Sequence, residues 1–360
     1  MTHVFISDCE GPISRNDNAF ELTSHFIPHG NRFYTVISRY DDVLADALKR
    51  PNYKAGDTLK LILPFLKAYD VTDSKMLEFS SRNLILIENA KDMLKHVRKI
   101  APTFIVSTSY EHYIKAICQN VGFPYENTYC TKLSIDRYHL TRDEKAKLKS
   151  TASEITQMPI IEIPTTAKSL NDFSKKEQKI LKRLDEIFWK EIKCTDCGRI
   201  FSEVNPVGGK EKAEAIKDIV YNLNVDLSDV VYVGDSITDI EAFNLVKKGG
   251  GLTVSFNGNQ YAIRHAQIAV LSETSLVTAI VADIFCRFGK QQAVGLAEKW
   301  SRKELEKNTP APTLVKRLLK QHPCRLPKVK IITLQNMDTL SEESSKFRKK
   351  VRGKAIGRLG

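Results

Sequence analysis

"VFISDCEGPIS", residues 4–14, decides the fold. Four residues suited to a buried strand run straight into Asp8, and a second acid, Glu10, follows two positions later. Gly11 and Pro12 then turn the chain. Two carboxylates at i and i+2 on a bend can point at one small volume. Further along, "DVVYVGDSITDIEAF" reads as strand, turn and helix, and places Asp235 and Asp239 at a second strand end. "PTFIVSTSY", residues 102–110, is a third apolar run, which ends in hydroxyls at Ser107, Thr108 and Ser109. "GGKEKAEAIKDIVYNLN" reads as a helix opened by glycines, with Lys210 at its start. Strands alternating with helices argue for an α/β fold with a Rossmann-like parallel sheet. In such sheets, sites form at the carboxyl ends of the strands where the strand order reverses. The four pieces are therefore expected to converge on one crevice.

The composition agrees with a large folded chain. The 360 residues are 42% hydrophobic and 27% charged, ordinary values for a globular protein, and are expected to divide among more than one domain. The net charge of +12 favours an anionic partner, whether a phosphorylated metabolite, nucleic acid or an acidic surface. The expected partner is a small phosphorylated metabolite and not nucleic acid. The basic run "KFRKKVRGKAIGRLG", residues 346–360, reads as a solvated end that is dispensable for turnover. Seven cysteines without a repeating frame argue for reduced thiols in the cytosol. The N-terminus lacks the pattern of a signal peptide. "CTDCG" supplies two zinc-type ligands, Cys194 and Cys197, where a closed site needs four, so a plain turn is the expected reading.

Carboxylates gathered this closely repel one another unless a cation neutralises them. An all-oxygen site with few protein ligands suits Mg²⁺, which keeps waters and bridges to phosphate. Lys210 and a hydroxyl or amide at Ser107 would hold the remaining phosphate oxygens, with Thr108 or Ser109 in that role if the strand ends later. Such positioning and charge neutralisation is what phosphoryl transfer needs, with a carboxylate available as nucleophile and Glu10 as proton carrier.

The ordered set Asp8-Cys9-Glu10-Gly11, Ser107 after an apolar strand, Lys210 and "VGDSITD" resembles the four signature motifs of the haloacid dehalogenase superfamily. The long helical stretch after the first motif resembles the cap of its phosphoserine-phosphatase-like branch. The resemblance implies a Mg²⁺-dependent phosphatase acting on a small phosphomonoester. It makes Asp8 the nucleophile and Glu10 the general acid/base, with the Glu10 backbone carbonyl as a metal ligand. It also makes Ser107 the phosphoryl binder, Lys210 the stabiliser of Asp8 and the phosphate, Asp235 a metal ligand, and Asp239 a support for metal and lysine. Two departures stand out. Glu10 replaces the usual Asp, as in some relatives that pass phosphate to an alcohol, so transfer to an alcohol acceptor is the first alternative. Pro12 replaces the usual Thr or Val. "FISDCEGPIS", "NPVGGKEKAEA" and "VGDSITDIEAF" also resemble an archaeal family labelled energy-converting hydrogenase A subunit R. That label implies association with a membrane hydrogenase complex and gives the second alternative, an accessory subunit, although no iron–sulfur or nickel ligand pattern occurs.

The expected organisation is a catalytic core from 1–15, 99–123 and 206–289, a helical cap over 16–98, a second insert over 124–205, and a basic extension over 290–360. Arg32 and Arg39, in the cap, are the expected readers of substrate.

Overall fold

The protein is described from a computed structural model, which defines residues 2–164, 166–353 and 357. Seven strands form one sheet: β1 (Val4–Ser7), β2 (Thr103–Tyr110), β3 (Thr128–Thr131), β4 (Val230–Gly234), β5 (Leu252–Phe256), β6 (Ile268–Leu271) and β7 (Lys328–Ile331). Their order is β3-β2-β1-β4-β5-β6-β7, and every pairing is parallel except β6 with β7. Residues of β1, β4 and β6 are buried without a break, as strands covered on both faces require. The chain leaves β1 towards β2 and β3, then returns to lay β4 on the other side of β1. The order thus reverses at β1, and the crevice beyond its carboxyl end is where a ligand site is expected.

Residues 16–98 and 124–205 were each expected to form a separate insert. Instead, helices Gly30–Asp42, Thr58–Ala68, Arg142–Gln157 and Lys175–Glu186 share one apolar core. The Phe33 and Phe65 rings lie 4.8 Å apart, and Phe65 and Phe188 6.1 Å apart. Both stretches are amphipathic, and each covers the apolar stripe that the other leaves bare. Helix Ala90–Val97, assigned to the cap by position, packs its Met93, Leu94 and Val97 into the sheet core with the Leu276–Phe288 helix.

The stretch beyond residue 290 is also more than an extension. β7 adds an antiparallel edge to the sheet, and the helix Met337–Arg352 buries Leu340, Ser341, Ser344, Arg348, Val351 and Arg352. Its basic residues are divided by helical period: Lys346 and Lys350 are exposed, whereas Arg348 and Arg352 are buried. No helix among the described residues is long and apolar enough to cross a membrane.

Candidate active site

β1 delivers Asp8 to the crevice. Ser7 lies opposite Ile105 of β2 and Val233 of β4, and the Asp8 amide donates to the Val233 carbonyl at 2.8 Å. The carboxylate is therefore fixed at the point where the three central strands end. Asp8 Oδ1 accepts from the Cys9 amide at 2.7 Å. The Cys9 side chain points into the apolar core, and burial, followed by Glu10 and Asp8, pushes its thiol well above the usual range. It is a packing residue. Gly11 has φ of +110°, and a methyl added there would overlap the Asp235 carboxylate. The turn in "DCEG" therefore needs glycine both for its backbone and for the approach of the second acid.

Asp235 follows β4 directly. Its amide and that of Ser236 both donate to Asp239 Oδ2 at 2.9 Å. Asp239 Oδ1 accepts from Tyr232 at 2.6 Å and from a lysine at 2.7 Å. Asp8, Asp235 and Asp239 present carboxylate oxygens within 4.8 Å of one another, all buried. A carboxylate has about four acceptor positions. Asp239 has filled its own with two amides, a phenol and an ammonium, so it holds the lysine and the loop. Asp8 and Asp235 keep open positions: among the described residues, no hydrogen bond reaches Asp235 Oδ1.

The lysine is Lys212, not Lys210. Lys210 opens the helix Lys210–Leu223 and is exposed. Lys212 is fully buried, with Nζ 2.9 Å from Asp8 Oδ2 and 2.7 Å from Asp239 Oδ1. The reason is helical phase. Residues two apart on a helix point nearly opposite ways, and Lys212 lies four before Ile216 on the buried stripe, whereas Lys210 shares the polar face with Glu214 and Lys217. That periodicity is readable in the sequence and separates the two lysines.

Ser107 is buried near the end of β2, 3.1 Å from the Ser109 hydroxyl. Among the described residues, Thr108 Oγ1 is buried without a partner. Ser107, Thr108 and Ser109 line the same small cavity, of about 110 Å³, as Asp8, Glu10 and Asp235. Glu10 Oε1 accepts from the Asn18 amide at 2.7 Å, which ties the first motif to the start of the cap.

Arg32 and Arg39 are not in this cavity. Arg32 Nε and Nη2 donate to the carbonyls of Thr156 and Met158 at 3.0 and 2.8 Å, joining the two halves of the cap. Arg39 pairs with Asp42 at 3.1 Å. Two other arginines take part instead. Arg348 and Arg352, from the presumed solvated tail, both reach Asp235 Oδ2, Arg352 at 3.1 Å. Their spacing of four places both on one helix face, which is the signal that net charge alone conceals. The pair Cys194 and Cys197 gathers no further metal-type ligand among the described residues.

The electrostatics follow from burial. Desolvation, then Asp239 and Asp235, raise Asp8 to about 7, against the opposing pull of Lys212. Desolvation, reinforced by Asp17 and opposed by Arg352, lifts Glu10 well above the usual carboxylate range. One carboxyl is bonded to Lys212 and the other is lifted by burial, so the two sit in different environments, as a nucleophile and an acid require.

A family model described as haloacid dehalogenase-like hydrolase matches residues 70–280. No curated protein matches the chain. Among solved structures, a gene product of Archaeoglobus fulgidus superposes with a TM-score of 0.78 at 24% identity, over 100% of this chain and 99% of its own. A substrate-bound phosphoserine phosphatase gives a TM-score of 0.44 at 13% identity, over 76% of this chain and 95% of its own.

Proposed function

The chain belongs to the haloacid dehalogenase-like hydrolases, and from that membership we propose that it is a Mg²⁺-dependent phosphatase that cleaves a small phosphomonoester through an aspartyl phosphate on Asp8. The observation that carries the reading is the convergence of Asp8, Asp235, Glu10 and the β2 hydroxyls on one small cavity, with Lys212 bonded to Asp8 behind it.

The donor set fits a hard cation. Asp8 and Asp235 offer oxygens with open positions, no Cys or His joins the cluster among the described residues, and burial, then Asp239 and Asp235, raises the Asp8 carboxyl to about 7. Asp8, Asp235 and the Glu10 carbonyl would hold Mg²⁺, which when bound supplies charge neutralisation for the phosphoryl oxygens.

The chain's own residues then divide the work. Ser107 and Thr108 donate hydroxyls to the phosphoryl oxygens; Thr108 Oγ1 is a buried hydroxyl of the cavity with no partner among the described residues. Lys212 favours the ionised form of Asp8 against the cost of its burial. An Asp8 oxygen attacks phosphorus, the bond from phosphorus to the ester oxygen breaks, and Glu10 gives that oxygen its proton. Glu10, now a carboxylate, takes a proton from water as the water attacks the phosphorus of the acyl phosphate. The bond to Asp8 breaks, phosphate leaves, and both residues return to their starting states.

The test is a trap. In Glu10→Gln, with a leaving group that needs no proton such as p-nitrophenolate, the first step should proceed and the second should slow by roughly 100- to 10,000-fold. The expected product is a phosphate on Asp8, seen by intact mass and released by hydroxylamine. Failure of both wild type and Glu10→Gln to carry phosphate with any turned-over substrate removes Asp8 as nucleophile. Discharge of the trapped species by an alcohol but not by water would assign phosphotransfer instead.

A further inference from the structure

The helix Met337–Arg352 brings two guanidiniums to one carboxylate oxygen. Arg348 Nη1 donates to Asp235 Oδ2 and, at 3.3 Å, to the Asp235 carbonyl. Arg352 Nη1 donates to the same Oδ2 at 3.1 Å, while its Nε and Nη2 clamp the carbonyls of Arg15 and Asn16. Both side chains are only 4% exposed. Arg348 Nε is buried without a partner among the described residues.

Packing alone does not account for this. Burying a guanidinium costs several kcal/mol unless its charge is matched, and apolar side chains of similar volume fill such space at lower cost. Arg352 has a structural duty, since it ties the last helix to the loop after the first motif. Among the described residues Arg348 hydrogen-bonds only Asp235, its charge also faces the buried Asp17, and its Nε is left without a partner. Two cations on Oδ2 leave Oδ1 as the open oxygen of the same carboxylate.

We propose that Arg348 and Arg352 are positioning residues of the active site that share the charge of Asp235 with the divalent cation, so that the C-terminal helix sets how tightly the site holds its metal. The inference rests on the metal-dependent reading given above. Its sign follows from a comparison of two effects. Removing the arginines frees the carboxylate to move, which weakens metal binding. It also removes two positive charges in contact with a metal ligand, which strengthens it. The first effect is small, because the Asp235 backbone is fixed by Asp239 and its carboxylate is seated against Gly11. The second is large, because the charges are desolvated and close. Charge therefore wins, and the helix holds metal affinity down.

The test is a calorimetric titration of Mg²⁺ into the full chain and into Arg348→Gln/Arg352→Gln. The Gln variant should bind roughly tenfold tighter or more, given the charge removed at contact distance. Arg348→Lys/Arg352→Lys keeps the charge without the fork and should stay close to the parent. Unchanged or weaker binding by the Gln variant overturns the inference and leaves the phosphatase reading standing. Absence of binding by every chain overturns both. If the Gln variant does not fold, hydrogen exchange on the unaltered chain gives the same answer. Saturating Mg²⁺ should speed exchange over residues 345–352 as Asp235 loosens its hold, and unchanged or slower exchange there overturns the inference.

Discussion

Lys212→Met is the most informative substitution, because it sets a fully buried ammonium against a neighbour, Lys210, that differs from it only in helical phase. Nζ of Lys212 lies 2.9 Å from Asp8 and 2.7 Å from Asp239. With an effective dielectric of about 20, a unit pair at 2.9 Å interacts by roughly 6 kcal/mol. If only a third of that survives relaxation and entry of water, about 2 kcal/mol remains, enough to move the Asp8 carboxyl up by roughly 1.5 pH units. Burial already pushes Asp8 up to about 7 with Lys212 in place. In the variant it would be mostly protonated at neutral pH, and it would also lack the cation beside the forming acyl phosphate. Turnover of p-nitrophenyl phosphate with saturating Mg²⁺ should fall by roughly 1,000-fold or more, since a lost electrostatic contact to the reacting group alone costs about 100- to 1,000-fold. Stability should fall by about 3–5 kcal/mol in denaturant unfolding, the usual cost of leaving a buried charge unpaired. Adding Asp8→Asn to Lys212→Met should recover part of that stability, because one orphaned carboxylate is then gone. Lys210→Met should retain near-parental turnover. The reasoning is refuted if Lys212→Met turns over within tenfold of the parent, or if Lys210→Met is the inactive one.

Gly11→Ala should lose activity and about 2 kcal/mol or more of stability, because φ near +110° and the Asp235 carboxylate both exclude a methyl, and the two arginines leave that carboxylate no room to retreat; a variant with parental turnover and an unshifted denaturation midpoint would count against the seat described here. The folded chain holds the Asp8 proton up to about 7, whereas the unfolded chain releases it near 3.8, so the folded state binds the extra proton between those values and loses stability as pH rises through them. Mg²⁺ binds the deprotonated form and offsets that loss, so the difference in Tm between Mg²⁺-saturated and chelator-treated protein should widen from about pH 5 to about pH 8 and should widen less in Asp8→Asn; a constant gap would contradict the assignment.

Much of this was legible in the sequence where the physics is local. An unbroken apolar run ending in an acid gives both a buried parallel strand and a residue at its carboxyl end, which is why the positions of Asp8 and Asp235 just beyond β1 and β4 can be read from their neighbours alone, whereas β2 continues three residues past Ser107. Lys212 was equally local, but counting from the glycines favours Lys210, and only the phase of the Ala213–Ile219 stripe corrects the choice. The arginines are another matter. Arg348 and Arg352 meet Asp235 across 113 and 117 residues, and no local pattern names that partner. Basic character suggested solvent, whereas a spacing of four within an amphipathic helix implied a shared face. The merging of the two inserts into one cap is also a long-range result, since each segment shows an apolar stripe but not what covers it. Arg32 illustrates the cost of that blindness: it lies on the cap as expected, but is spent on joining the cap's two halves.

The clamp between Arg352 and the Arg15–Asn16 carbonyls spans 337 and 336 residues of chain. Contacts of such sequence separation close late, because loop entropy must be overcome before they contribute. Synthesis at about 5–20 residues per second puts roughly 20–70 s between the emergence of Asn16 and that of Arg352. Throughout that interval β1 waits for β4, and then Asp235 waits without its guanidinium partners. The emerging polypeptide thus passes through a stage in which Asp8 and Asp235 are together but the last helix is not yet docked. Folding, in this sense, ends at the carboxylate of the proposed site.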